Sequence, residues 1–360
     1  MKKIPVGILG ATGMVGQNYV QHLSNHPWFN LCFLASSEHS ARKPYAEAVL
    51  GKWHMHTPIP ERFLSMPVHH IEEYTLAKKS CLFIFSAISN EAAQLYEELY
   101  AASGIPILSN AAYHRKSSDV PVLIPEVNPT HLQLIAIQRK NRNWNRGFIV
   151  AKPNCSLQSY MIPLGPLHQK FQVRSLSVTT LQAVSGAGYP GVSSLHMVDN
   201  VIPFIAGEEE KSEEEPLKIW GELQDNGISP AKNIAISAHC NRVPVLDGHL
   251  ACVSVRFAQK PSYEEILSSW NNFQGLPQQL QLPSAPQSPI IYLKEKERPQ
   301  PRQDRNAGNG MSITVGRLRD CPVFDYRFVA LSHNTIRGAS GGGILIAELL
   351  VRQGYLEGLC

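Results

Sequence analysis

At 360 residues, with 43% hydrophobic and 17% charged residues, the chain is long enough for two domains with substantial cores. Its formal charge of +4 is small for that length, and without a long Lys/Arg run a nucleic-acid partner has no support, so the expected partner is a small anion. Its 7 cysteines are scattered, odd in number and without C-x-x-C spacing, which argues against a disulfide framework or a metal site and suits a reducing cytoplasm. Ile4 to Leu9 is too short for a signal sequence, and no apolar stretch approaches the roughly 18 residues needed to cross a bilayer, so no membrane role is expected.

Ile4 to Leu9 reads as a buried strand, followed at once by Gly10-Ala11-Thr12-Gly13-Met14-Val15-Gly16 and an amphipathic segment through His26. The spacing G-x-x-G-x-x-G between a first strand and a first helix suits dinucleotide binding: glycines allow the tight turn and let a pyrophosphate approach a helix N-terminus. Leu31 to Ser36 is the second strand. At its end an NAD site would carry an acid for the ribose hydroxyls. The chain instead offers Ser36, Ser37, Ser40, Arg42 and Lys43, which suit a 2′-phosphate and hence NADP, while Glu38 is the residue that would suit NAD. A solvated polar loop is the plain alternative.

Trp53 to Pro67 reads as loop and short strand, Ser80 to Ala87 as a strong apolar strand, Asn90 to Ser103 as a helix and Ile105 to Asn110 as another strand. This alternation predicts an α/β fold with a doubly wound, Rossmann-type parallel sheet whose carboxyl-end loops, including Ser86-Ala87 and Ser109 to Arg115, face the cofactor. A second α+β domain with a mixed sheet follows: Val173 to Ala183 and Leu250 to Phe257 are strands, and Ser288 to Leu293, Met311 to Val315 and Phe324 to Leu331 are weaker ones. The Pro-rich, charged run from Leu276 to Arg305 reads as an excursion suited to a subunit contact, and Gly338 to Gly343 opens a final apolar helix. The expected division is a cofactor domain over 1–152, completed by 335–360, and a catalytic and oligomerisation domain over 153–334.

Lys152-Pro153-Asn154-Cys155-Ser156 lies between an apolar strand and a helical Leu157 to Phe171 segment. A cysteine at such a junction meets backbone N–H groups and the helix dipole, a setting for a thiolate nucleophile, although an isolated cysteine is more commonly a small buried hydrophobe. Gln182 ending an apolar strand, and Arg242 and His249 flanking a turn, favour the nucleophile. Glu208 to Glu215 reads equally well as an acidic solvated helix face.

Taken together the motifs resemble the archaeal and fungal type of aspartate-β-semialdehyde dehydrogenase over essentially the whole chain. They are Gly10 to Gly16, Ser109-Asn110-Ala111 through Arg115, Ile124 to Asn128, Pro153 to Ser156, Gln182 to Gly188, Gly207 to Lys211, Asn241 to Val245 with Gly248-His249, and Asn334 to Gly338. The resemblance implies NADPH-dependent reductive dephosphorylation of 4-phospho-L-aspartate to L-aspartate 4-semialdehyde, in amino-acid biosynthesis, by a homodimer or homotetramer. By position it implies Cys155 as acylated nucleophile, His249 as proton acceptor and donor, and Gln182 as the amide that places the acyl group. Arg242 would grip the substrate α-carboxylate, Glu208 would lie near its amino group, and Arg115 and Lys211 would hold phosphate, with Asn154 beside the sulfur. Gly10, Thr12, Gly13, Met14, Val15, Ser36, Ser37, Ser40, Lys43, Ser86, Ala87, Ser185, Gly186 and Asn334 would hold the cofactor. Lys152, His39 and Arg42 depart from the family's usual residues.

An acyl phosphate acylates a thiolate readily, and the resulting thioester accepts hydride more readily than a carboxylate would. Two alternatives remain at this point: an acyl-CoA reductase of the malonyl-CoA reductase type on the same scaffold, and a non-catalytic NADP-binding regulator that uses Cys155 as a redox sensor.

Overall fold

The computed structural model describes residues 3–356; the expected final segment therefore extends past them, with 357–360 outside the described residues. The first sheet contains β1 (Ile4–Leu9), β2 (Phe29–Ser36), β3 (Val68–His70), β4 (Phe83–Ser86), β5 (Ile107–Ser109) and β6 (Ile149–Ala151), in the order β3-β2-β1-β4-β5-β6. Every pairing is parallel. Helices cover both faces, which is why these strands read as almost unbroken apolar runs rather than alternating ones. Between β1 and β4 the direction of strand addition reverses, so the crevice that binds ligands in such sheets opens at Leu9-Gly10 and Ser86-Ala87.

The glycine turn sits in that crevice for a steric reason. Gly10 has φ +76°, and a Cβ there would lie 2.5 Å from the Ala87 carbonyl oxygen; at Gly16 a Cβ would lie 2.1 Å from the Gly10 carbonyl oxygen. No larger residue lets the first helix pack this close to the β1 and β4 ends. That helix spans Met14–Leu23 and stops short of the predicted His26. His26 is withdrawn because its ring accepts the Phe29 N–H and faces the buried Glu348 carboxylate at 2.8 Å.

The second sheet comprises β7 (Val173–Gln182), β10 (Ala235–Arg242), β11 (His249–Phe257), β12 (Ile290–Leu293), β13 (Ile313–Asp320) and β14 (Tyr326–Ser332), while β8 (Glu222–Gln224) and β9 (Gly227–Ser229) form a separate ribbon. Its order is β10-β7-β11-β14-β13-β12, with β10 parallel to β7, β12 parallel to β13 and the remaining pairs antiparallel. Ala251, Val253, Val255 and Phe257 alternate along β11 onto a face shared with the buried helix Leu157–Phe171. The alternate positions, such as Cys252 and Arg256, point the other way and are exposed.

Two chain passages join the sheets. One is Lys152–Ser156, between β6 and the helix Leu157–Phe171; the other follows β14 through Ile336–Ser340 into the helix Gly341–Arg352, whose Ile344, Leu345 and Leu349 pack with β1 and β2 residues. The Pro-rich run also packs within its own chain. Leu282 is buried in the first core, Leu276 and Leu280 pack against it, and Ser284 donates to Glu348, so this segment straps the second sheet to the first within one chain. No helix among the described residues is long and apolar enough to cross a membrane.

Candidate active site

One edge of the second sheet collects three of the predicted residues. Gln182 ends β7 opposite Arg242, which ends the parallel β10, and His249 begins the antiparallel β11 beside them, so all three side chains emerge at the same edge. The passage Lys152–Ser156 brings Cys155 to this edge. Its Sγ lies 3.3 Å from His249 Nε2, and the second ring nitrogen, Nδ1, accepts the Ala183 N–H at 3.0 Å. The Ala183 carbonyl in turn accepts from Arg242 Nη1 at 2.7 Å. A single alanine backbone thus orients both the imidazole and the guanidinium. Gly186 leaves room for them: a Cβ there would lie 2.9 Å from Arg242 Nη1 and 3.0 Å from His249 Nε2.

The electrostatics differ from the sequence expectation at two points. Cys155 precedes the first helical residue by two positions, and burial followed by the Glu208 carboxylate raises its thiol pKa, against the opposing pull of Lys152, Arg115 and Arg242. Desolvation of the thiolate is the largest influence on it, because a charged sulfur loses its water in this setting. His249 does not titrate near neutrality either. Burial, Arg242 and His333 push it down to about 3, and the ring is neutral at physiological pH.

Glu208 is the hub on the opposite wall. It accepts from Asn154 Nδ2 at 2.8 Å, Lys211 Nζ at 2.9 Å and Gln182 Nε2 at 3.2 Å. Asn154 Oδ1 meanwhile accepts from the N–H and hydroxyl of Ser156, so this amide braces the loop as well as flanking the sulfur. Glu215, not anticipated as a site residue, takes Arg115 Nη1 at 2.8 Å and the Asn154 N–H at 2.7 Å. Helical spacing was the available signal: Glu208, Lys211 and Glu215 are three and seven residues apart, which places them on one helix face. The acidic-surface alternative therefore fails for Glu208 and Glu215, both buried, and holds for Glu214, which pairs with Lys116 in solvent.

Lys152 was also missed as a site residue. It is buried, donates to the Pro153 carbonyl at 2.7 Å and to the Gly338 carbonyl, and burial followed by Arg115 lowers its pKa to about 7. Gly338 must be glycine because a Cβ would stand 2.8 Å from Cys155 Cβ. The neighbouring Arg337 is buried and forks onto Glu126, with Nη1 donating to Oε1 at 2.8 Å, so this pair locks the second passage in place and ties the Ile124–Asn128 motif to it.

Cys155, Asn154, Lys152 and the Glu208 wall open onto a cleft of about 960 Å³, while Gln182, Arg242 and His249 are buried behind its lining. Thr12, Gly13, Met14, Val15 and Ala87 line it from the first sheet, and Ser185, Gly186 and Asn334 from the second. Asn154, Cys155, Arg115, Glu208 and Lys211 lie along the same space. Asn334 bridges the halves of the rim, donating to Ser185 Oγ and accepting from the Gly248 N–H, both at 2.8 Å. The chemistry of the cleft fits a dinucleotide: Gly13 caps the first helix with no side chain in the way, and the first turn holds no acid, leaving N–H donors for a pyrophosphate.

The remaining predicted residues are outside the cleft lining. Gly10 acts through the backbone packing above, and Ser86 is wholly buried. Ser36 is buried, its hydroxyl 2.8 Å from that of Thr12, and Ser40 is buried as well. Ser37 is exposed, as is Lys43, which donates to the His39 carbonyl at 3.1 Å. Glu38 is exposed and lies 3.8 Å from Arg42.

Residues 5–135 match the family model "semialdehyde dehydrogenase, NAD binding domain" and residues 164–337 match "semialdehyde dehydrogenase, dimerisation domain". The chain is 45% identical to the aspartate-semialdehyde dehydrogenase of Archaeoglobus fulgidus, covering 97% of this chain and 98% of that one. It is also 41% identical to a malonyl CoA reductase (NADP) of Metallosphaera sedula, covering 99% of both. The crystal structure of aspartate semialdehyde dehydrogenase with NADP from Candida albicans superposes with a TM-score of 0.90 at 36% identity, covering 98% of this chain and all of that one. With near-complete coverage by relatives of this identity, and the cleft built as described, the chain belongs to the aspartate-semialdehyde dehydrogenase family.

Proposed function

We propose that this chain is an NADP-dependent aspartate-semialdehyde dehydrogenase that reduces 4-phospho-L-aspartate to L-aspartate 4-semialdehyde through a thioacyl group on Cys155. The observation that carries this reading is the 3.3 Å approach of Cys155 Sγ to the buried His249 Nε2, with Cys155 itself lining the cleft that also holds the glycine turn. NADPH, held by Thr12 to Val15, Ala87, Ser185, Gly186 and Asn334, supplies the hydride when bound. Arg115 and Lys211 line the cleft as cations for the phosphoryl group, and Arg242 is the fork for the α-carboxylate, since beyond Ala183 its donors take no protein partner among the described residues. Glu208 and Gln182 face the substrate amino and acyl groups. Ser36, Ser37, Ser40 and Lys43 set the preference for the 2′-phosphate.

Residues 1–152 with the final helix serve the cofactor, and 153–334 serve catalysis and assembly. The exposed alternate face of the second sheet suits a homodimer, with a tetramer as its extension, and the scattered cysteines are the support for a cytoplasmic location. Phosphate-dependent reduction of NADP⁺ by the semialdehyde, followed at the nicotinamide band, tests the reading. The parent should respond to phosphate, and Cys155→Ala should lose turnover while binding NADPH with parental affinity. Faster NADPH oxidation with malonyl-CoA, or turnover within tenfold of parent in Cys155→Ala, would overturn it.

A further inference from the structure

We propose that Lys52, posted beside the glycine turn by the Gln17 amide, is the cation that meets the pyrophosphate of the bound dinucleotide. This inference rests on the NADP-dependent reading above and adds a cofactor-binding residue to it. Gln17 lies in the helix Met14–Leu23 and its side chain is buried. Its Nε2 donates to the Thr12 carbonyl at 2.8 Å and to the Lys52 carbonyl at 2.7 Å, while its Oε1 accepts the His54 N–H at 2.9 Å. An amide suits this place because it carries donors and an acceptor together: a carboxylate would repel the two carbonyls, and an apolar side chain would leave all three backbone groups without this partner. The Tyr45 hydroxyl donates to the Ala11 carbonyl at 2.9 Å, so the segment from Tyr45 to His54 is fastened twice to the turn that receives the cofactor. At its far end the His54 ring stacks on Tyr189, with centroids 3.7 Å apart. Lys52, His54 and Tyr189 all lie on the lining of the cleft, so the segment reaches from the glycine turn to the loop that follows Ser185 and Gly186.

The charge pattern of the lining singles out Lys52. Arg115 is paired with Glu215, Lys211 with Glu208, and Lys152 donates to the Pro153 and Gly338 carbonyls. Lys52, the remaining lining cation, is exposed and makes no ion pair or side-chain hydrogen bond among the described residues. Of the lining carboxylates, Glu208 is engaged as described above, and Glu91 is held by its own backbone N–H and the Ser89 hydroxyl at the start of the helix Asn90–Ala102. A dinucleotide pyrophosphate is a dianion. The glycine turn offers it N–H donors and a helix dipole, which are partial charges, so a full counter-charge has to come from a side chain. A lysine meets that need with a point charge on a flexible stem, which follows either phosphate without requiring a fixed fork geometry. The loop after β2, assigned above to the 2′-phosphate, is a different segment, so the two anionic groups of the cofactor are met separately.

The test reads binding to the full-length protein, so it does not depend on which substrate is correct. NADPH is titrated by its fluorescence, and adenosine 2′-monophosphate, which has the 2′-phosphate but no pyrophosphate, by calorimetry. Lys52→Met should raise the NADPH Kd by about 5- to 20-fold at low salt, by less as salt is added, and leave the Kd for adenosine 2′-monophosphate within about twofold of parent. Gln17→Met should weaken NADPH to a similar extent, and adding Lys52→Met to it should change little, because the cation is already displaced. Equal losses on both ligands would move Lys52 to the 2′-phosphate, and an unchanged NADPH Kd would remove it from the cofactor site; either result overturns the proposal. Fully additive losses in the double variant would overturn the placement of Lys52 by Gln17. A parent protein that bound no NADPH would overturn the NADP-dependent reading itself, and this inference with it.

Discussion

Glu215 is the most stringent test of how the site is held. Its two carboxylate oxygens take a guanidinium N–H of Arg115 and the backbone N–H of Asn154, both from buried groups. In Glu215→Gln the amide oxygen can satisfy only one of these donors, and its NH₂ is turned toward the other. The variant loses the charge opposite Arg115 and one charge-assisted hydrogen bond worth about 1.5–3 kcal/mol. Breaking a buried pair from one side costs about 3–5 kcal/mol, which bounds the effect from above. A loss of about 3 kcal/mol corresponds to a fall of about 4 °C in Tm for a chain of this size. Because Arg115 is released and the nucleophile loop loses an anchor, KM for phosphate in the oxidative direction should rise by about tenfold or more. Calorimetry and initial-rate kinetics on the same preparation check both. A Tm within about 1 °C of parent, together with an unchanged phosphate KM, would show that Glu215 neither positions Arg115 nor anchors the loop.

Arg242→Leu should cost about 1.5–3 kcal/mol, or about 10- to 150-fold, in kcat/KM for the semialdehyde, and much less for propanal, which has no carboxylate; equal losses on both would remove the clamp. Lys152 has a folded pKa of about 7 against an ordinary value of 10.5, so between those pH values the unfolded chain binds the extra proton and stability rises with pH. Denaturant unfolding at pH 7 and at about pH 10 should show this gain shrinking in Lys152→Met, and identical gains in parent and variant would refute the assignment. Exposed Glu38 and Arg42 at 3.8 Å leave the 2′-phosphate loop without a carboxylate committed to ribose, so NADPH should exceed NADH in kcat/KM, by a margin that narrows as salt screens the loop. A ratio of one or below, independent of salt, would assign Glu38 to the ribose hydroxyls.

Much of the molecule was legible in local pattern. The parallel sheet, the glycine turn, the strand-to-helix setting of Cys155 and the mixed second sheet each follow from residues adjacent in the chain, where hydrophobic period and glycine sterics act over a few positions. The full cast of the site came from motif resemblance, and the cleft does gather Arg115, Asn154, Cys155, Glu208 and Lys211 with the glycine turn. What the chain order could not state is the charge each group carries. The raised thiol of Cys155, the neutral ring of His249 and the lowered amine of Lys152 all depend on burial and on charges contributed by distant segments. The same holds for the supports. Glu215 meets Arg115 across 100 residues, Glu126 meets Arg337 across 211, and Ser284 reaches Glu348 from a run that read as an excursion. Only folding decides such pairings, because a buried polar group must find its partner wherever the packed chain brings one within about 3 Å.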